Sequence, residues 1–98
     1  EFSLGKYIFK PNSKTLEIDG NKPIRLTEKE ADILKFLYKN LKNVVSRETL
    51  LHEVWGYNSN VTTHTLETHI YRLRQKIEYD PGNATFLKTE TGGYQLRN

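Results

Sequence analysis

The sequence predicts an α+β domain: a small N-terminal antiparallel sheet, then three helices, then a C-terminal β-hairpin. Three observations carry that prediction. Apolar residues alternate with polar ones up to Leu26, recur at three- and four-residue steps as far as Ile77, and alternate again after Phe86. Turn and cap residues stand at each change of period. The length, 98 residues, suits a single domain.

The strands come first. Tyr7 and Phe9 alternate with Ile8 and Lys10, Leu16 and Ile18 alternate with Thr15, Glu17 and Asp19, and Ile24 and Leu26 resume the pattern. Pro11-Asn12-Ser13 and Asp19-Gly20-Asn21 supply the turns, and Pro23 keeps the last strand short or at an edge. About three strands are expected. Glu1-Phe2 is the dipeptide a common cloning site encodes, so it is expected to be a cloning remnant, and the abrupt start is expected to mark a fragment of a longer protein.

Thr27-x-x-Glu30 is a capping box, in which each residue satisfies the other's free backbone N–H. Behind it Ala31, Ile33, Leu34, Leu37, Tyr38 and Leu41 mark an amphipathic helix of about 13 residues, ended by the segment Asn40 to Asn43. Val44-Val45 is long enough only for a linking strand. Ser46 is the next N-cap, Leu50, Leu51, Val54 and Trp55 form one apolar side, and Gly56 stops this shorter helix. After a polar loop, Thr62 or Thr63 caps a third helix spanning roughly residues 63–78. Its Leu66, Ile70, Leu73 and Ile77 make a single apolar stripe. Asp80-Pro81-Gly82-Asn83 closes it. Phe86–Thr89 and Tyr94–Leu96 then flank a Gly-rich tip, Glu90-Thr91-Gly92-Gly93.

Composition excludes several classes. Hydrophobic residues are 36% and charged residues 28% of the chain, which suits a folded globular domain and not a disordered tail. No apolar run approaches the roughly 18 residues of a membrane-spanning helix, and no secretory leader is visible, so a cytoplasmic location is expected. With no cysteine there is no disulfide, thiolate metal site or cysteine nucleophile. His52, His64 and His69 lack the i, i+4 spacing that sets two ligands on one helical face, so no metal is expected. No nucleophile elbow frames a serine, and Gly92-Gly93 lacks the surroundings of a phosphate loop. Neither an enzyme nor a cofactor is expected. The net charge of +3 permits a polyanionic partner without requiring one, so any such argument rests on where the charges sit.

They sit usefully on the third helix. With its stripe turned inward, the opposite side presents His64, Glu67, Thr68, Tyr71, Arg72, Gln75 and Lys76. Thr68, Tyr71, Arg72 and Gln75 are three and four residues apart and share one side. Taken alone, this is a solvated helix face. Yet these groups also match the donor and acceptor edges of a DNA major groove, and Arg74 and His69 flank them as phosphate ligands would. Two helices joined by a short loop and followed by a hairpin form the winged helix-turn-helix order.

Four segments then resemble the C-terminal effector domain of OmpR/PhoB-family response regulators. They are Leu26-Thr27-x-x-Glu30…Ile33-Leu34; Val45-Ser46-Arg47-Glu48-x-Leu50-Leu51…Val54-Trp55-Gly56-Tyr57; Thr65-Leu66-Glu67-x-His69-Ile70-x-Arg72-Leu73-Arg74-x-Lys76-Ile77; and Gly93-Tyr94. The resemblance covers nearly the whole chain. It implies a domain that binds double-stranded promoter DNA, as head-to-tail copies on direct repeats. It also implies a preceding receiver domain, served by a sensor kinase.

Residue by residue, the resemblance puts Thr68, Tyr71, Arg72 and Glu67 at base-reading positions. It puts Arg47, Thr65, His69 and Arg74 at phosphates and Trp55 near the DNA, and His64, Gln75 and Lys76 on the same outward face are further phosphate candidates. Lys88, Thr89, Glu90, Thr91 and Gly92 form the wing, and Gly56, Tyr57, Asn58, Ser59 and Asn60 match a loop that touches RNA polymerase in some members. The chain departs from the family pattern in three places. Glu90 stands where the wing often carries Arg, Tyr71 stands where Arg is common, and Ala31 replaces an aromatic. The first two remove cations, so a weaker or specialised wing is expected. Glu90 and the small net charge also keep open a second reading, a winged-helix module that binds protein and not DNA.

Overall fold

The computed structural model describes residues 1–98 and holds four strands, three helices and a terminal hairpin. Strands β1 (Phe2–Leu4), β2 (Tyr7–Lys10), β3 (Thr15–Glu17) and β4 (Ile24–Arg25) form one antiparallel sheet in chain order. The sheet has one strand more than the alternation predicts. β1 is only three residues long, too short to show a period, and tertiary packing fixes it. Phe2 pairs with Phe9 and its ring stacks on Tyr38 at 4.7 Å, while Leu4 is fully buried. The β1–β2 turn takes Gly5 at φ 56°, and a Cβ there would run into the Phe86 ring.

Helix α1 (Glu28–Lys39) begins as its capping box predicts. Thr27 Oγ1 accepts from the Glu30 N–H at 3.2 Å, and Glu30 Oε1 accepts from the Thr27 N–H at 2.8 Å. Helix α2 (Arg47–Trp55) is capped by Ser46, whose hydroxyl accepts from the Thr49 N–H at 3.1 Å, and it ends at Gly56 with φ 99°. Helix α3 (Thr63–Ile77) starts at Thr62 without a side-chain cap. Its stripe Leu66, Ile70, Leu73 and Ile77 is buried throughout and joins the single core shared by the sheet, the three helices and the hairpin.

A 3₁₀ turn (Pro81–Asn83) leads to β5 (Leu87–Glu90) and β6 (Gly93–Leu96), which pair around the two-residue turn Thr91-Gly92. The turn is tighter than the four-residue tip expected, because Glu90 and Gly93 already belong to the ladder. Val45 bridges to Tyr94 through two backbone hydrogen bonds of 2.8 and 2.9 Å, so the short Val44-Val45 link fastens the hairpin to the start of α2. A Cβ on Gly93 would overlap the Val45 carbonyl. Gly93→Ala is therefore expected to lower stability by about 1–3 kcal/mol, as overpacking does. Thermal unfolding checks it; an unchanged midpoint would show that the two backbones are free to part.

Two carboxylates are buried, and the partner of the first corrects the outward placement of Lys76 expected from sequence. Glu30 is 1% exposed and takes the Lys76 ammonium on Oε1 at 2.5 Å, while Lys76 also donates to the Arg25 carbonyl at 3.0 Å. Lys76 is thus turned toward α1 and away from the outer face of α3. Glu78, which follows the last residue of the α3 stripe, is 7% exposed and accepts from the backbone N–H groups of Thr85, Phe86 and Leu87. It ties the end of α3 to the start of β5.

Candidate nucleic-acid interface

The outer face of α3 is set by what the inner face buries. His64, Glu67, Tyr71, Arg72 and Gln75 are exposed, and Thr65, Thr68, His69 and Arg74 are half-buried along the edges and centre. Tyr71, at 64%, is among the most exposed aromatics. Arg72 enters none of the ion pairs of the domain, so its guanidinium stands unclaimed. The Thr68 hydroxyl donates to the His64 carbonyl at 3.0 Å. Its one hydrogen is spent there, which leaves it an acceptor and a methyl group for an outside partner.

His69 lies against the Thr65 carbonyl, with Nδ1 at 2.8 Å. A carbonyl only accepts, so Nδ1 carries the hydrogen and Nε2 is the atom left for another partner. The imidazole meets Trp55 edge to face at 5.1 Å, and Lys29 sits 5.7 Å from the indole centroid while donating to the Val54 carbonyl. Trp55 is half-buried and packs on the core, with one side on this cluster.

Two arginines converge on the hairpin. Arg47, at the start of α2, lies 4.9 Å from the Tyr94 ring centroid and 3.8 Å from the Glu67 carboxylate. Arg74 lies 5.8 Å from the same ring and donates from Nε to the Leu87 carbonyl at 2.9 Å and from Nη2 to Thr89 Oγ1 at 2.7 Å. Tyr94 thereby joins α2, α3 and the wing. Of the residues placed at phosphates from sequence, Lys76 is committed to Glu30 and Arg74 largely to β5. Arg47, His64, Thr65, His69 and Gln75 remain on or beside the outer face.

The wing holds its own counter-charge. Glu90 pairs with Arg97 at 3.6 Å, and Gln95 Oε1 accepts from Arg97 Nε at 2.8 Å. Sequence reading missed Arg97, because it follows the last strand and no periodic pattern links it to Glu90. Lys88 is half-buried; Thr89, Thr91 and Gly92 are exposed. The loop Gly56, Tyr57, Asn58, Ser59 and Asn60 is exposed throughout. Within it the Tyr57 hydroxyl donates to Glu53 at 2.8 Å, and that bond to a carboxylate raises its pKa. No helix is long and apolar enough to cross a membrane.

Comparison with known proteins accords with this geometry. Residues 21–96 match the family described as "Transcriptional regulatory protein, C terminal". The sensory transduction protein RegX3 of Mycolicibacterium smegmatis is 45% identical over 75 residues, 76% of this chain and 33% of that protein. The chain therefore spans about a third of the length of that relative. Among solved structures, the response regulator DrrB, a Thermotoga maritima OmpR/PhoB homolog, superposes with a TM-score of 0.86 at 34% identity, covering 99% of this chain and 44% of that one. The DNA-binding domain of the response regulator AdeR, solved in complex with an intercistronic region, gives 0.75 at 27% identity over 98% of each chain. The chain belongs to the family of transcriptional regulatory protein C-terminal domains, of the OmpR/PhoB type.

Proposed function

We propose that this domain binds double-stranded promoter DNA sequence-specifically, as the output domain of a two-component response regulator. The observation that carries the reading is the open outer face of α3. Thr68, Tyr71, Arg72 and Gln75 stand together there, beside a wing fastened to the same helix. In this reading α3 enters the major groove with Thr68, Tyr71, Arg72 and Glu67 toward base edges. Arg47, His64, Thr65, His69 and Gln75 hold phosphates, aided by free backbone amides at the uncapped start of α3. The wing lies along the neighbouring backbone. One copy offers a small interface, roughly 600–1,000 Å², so tandem copies on a direct repeat supply the affinity that one lacks.

In the full-length protein a receiver domain, phosphorylated by a sensor kinase, would raise the population of paired copies. The exposed loop from Gly56 to Asn60 is available to RNA polymerase, and the cytoplasm is the compartment where all of these meet. The protein-binding alternative rests on Glu90 and on the small net charge of +3. The Arg97 pairing reduces the charge that Glu90 presents, and so weighs against it.

Selection of sites from a random duplex library tests the reading. The expected result is a direct repeat spaced about one helical turn, roughly 10–11 bp, with binding that falls steeply as salt rises. Arg72→Ala is expected to cost about 1–3 kcal/mol of affinity and to relax preference at one position of the site. No enriched sequence, and no binding at low salt, would reject DNA recognition by this domain.

A further inference from the structure

We infer that Arg74 is a positioning residue, which fixes the angle between the recognition helix and the wing, so that both meet DNA in one register. The inference rests on the DNA-binding reading above and assigns Arg74 a different task from the phosphate contact its sequence position implies.

The geometry is that of a clamp. Arg74 leaves the edge of the buried stripe of α3 one residue after Leu73. It meets β5 at two points, the Leu87 carbonyl at 2.9 Å and the Thr89 hydroxyl at 2.7 Å. Those residues are two apart on one strand, and a rigid planar guanidinium can serve both at once. Its position near the Tyr94 ring adds a contact with β6, and Tyr94 is held in turn by the two backbone bonds to Val45. The hairpin is therefore tied at its base by Glu78, along β6 by Val45, and along β5 by Arg74. Of these three, Arg74 alone lies between the outer face of α3 and the wing. Lysine keeps the charge at this point but cannot present two fixed donors. A simple phosphate ligand tolerates that exchange; a clamp does not.

The test uses Arg74→Lys, Thr89→Val and the double variant, with the selected duplex as probe and fluorescence anisotropy as readout. Each single change is expected to weaken binding about five- to tenfold, and the double variant to bind no more weakly than Arg74→Lys, because the lysine already gives up the Thr89 contact that Thr89→Val deletes. Amide exchange in the DNA-free domain is expected to quicken across Leu87–Leu96 in each variant while the α3 amides keep their protection. The proposal is overturned if Arg74→Lys binds as the unsubstituted domain does, if the two changes add, or if hairpin exchange is unmoved. If the unsubstituted domain binds no duplex, the DNA-binding reading has failed and this role with it. If it binds and the lysine variant matches it, the positioning role alone has failed.

Discussion

Glu78→Ala is expected to destabilise the domain by about 3–5 kcal/mol, with the hairpin loosening first. The carboxylate stands at the C-terminal end of α3, where it faces three successive backbone N–H groups. Oε1 accepts from Thr85 at 2.8 Å, Oε2 accepts from Leu87 at 2.8 Å, and Phe86 lies within reach of both oxygens, at 3.2 and 3.0 Å. Removing these acceptors strands buried or half-buried donors, each at a cost of about 1–3 kcal/mol. Tyr7 records the same charge from the sheet side. Its hydroxyl donates to the Ile77 carbonyl at 3.1 Å, and burial first, then the nearby Glu78 carboxylate, raises its pKa.

Glu78→Gln refines the test. The amide keeps one oxygen for Thr85 and Phe86 but turns an NH2 donor toward the Leu87 N–H, so it is expected to lose about half as much. Urea unfolding measures both, with amide exchange at residues 85–87 reporting where the structure opens. A glutamine variant as stable as the parent would show that the Leu87 N–H finds another acceptor.

Most of the architecture was legible because local rules and global packing agree here. The capping box at Thr27, the Ser46 cap and the Leu66–Ile77 stripe each fix an element from neighbouring residues alone, and each is found in place. The outward residues of α3 were legible for the same reason. Once the stripe is known, helical geometry sends Thr68, Tyr71 and Gln75 to the other side.

The edges of the stripe are different. Arg74 stands just after Leu73 and Lys76 just before Ile77, at opposite borders, and a border residue turns outward or inward according to what lies next to it. Lys76 finds Glu30, 46 residues earlier, and Arg74 finds a strand 13 to 15 residues later. No local period encodes either encounter. Glu30 shows the same limit: its capping role was written in four residues, while its service as partner to a distant lysine depends on α1 packing against α3. β1 escaped notice because three residues carry too little alternation, and its place is fixed by Phe9, Tyr38 and Phe86.

The Glu30–Lys76 pair carries the second large expectation, and pH resolves it. Lys76→Met is expected to cost about 3–5 kcal/mol near neutral pH, because it leaves a buried carboxylate without its cation. Burial pushes the Glu30 carboxyl up, but the bond from Lys76, the Thr27 N–H and the lysine charge together outweigh it, so its pKa lies below the ordinary value. A carboxyl depressed in the folded state binds fewer protons there than in the unfolded chain. Its stabilising contribution is complete above the unfolded pKa and is lost as pH falls through the folded one. The parent domain should therefore lose stability on acidification below the ordinary carboxylate range.

With Lys76 gone, burial opposes only the Thr27 bonds, and protonation of Glu30 relieves the unpaired charge. The deficit of Lys76→Met should thus be largest near pH 7 and shrink toward pH 4. Glu30→Gln with Lys76→Met removes both charges and keeps an oxygen for the Thr27 N–H. It should recover most of the loss, since a buried pair contributes far less than the penalty for breaking it on one side. Urea midpoints at the two pH values, for the parent, the single and the double variant, decide the matter. A deficit independent of pH, or a double variant no better than the single, would mean that Lys76 stabilises the domain by packing its stem across α1 and not by neutralising Glu30.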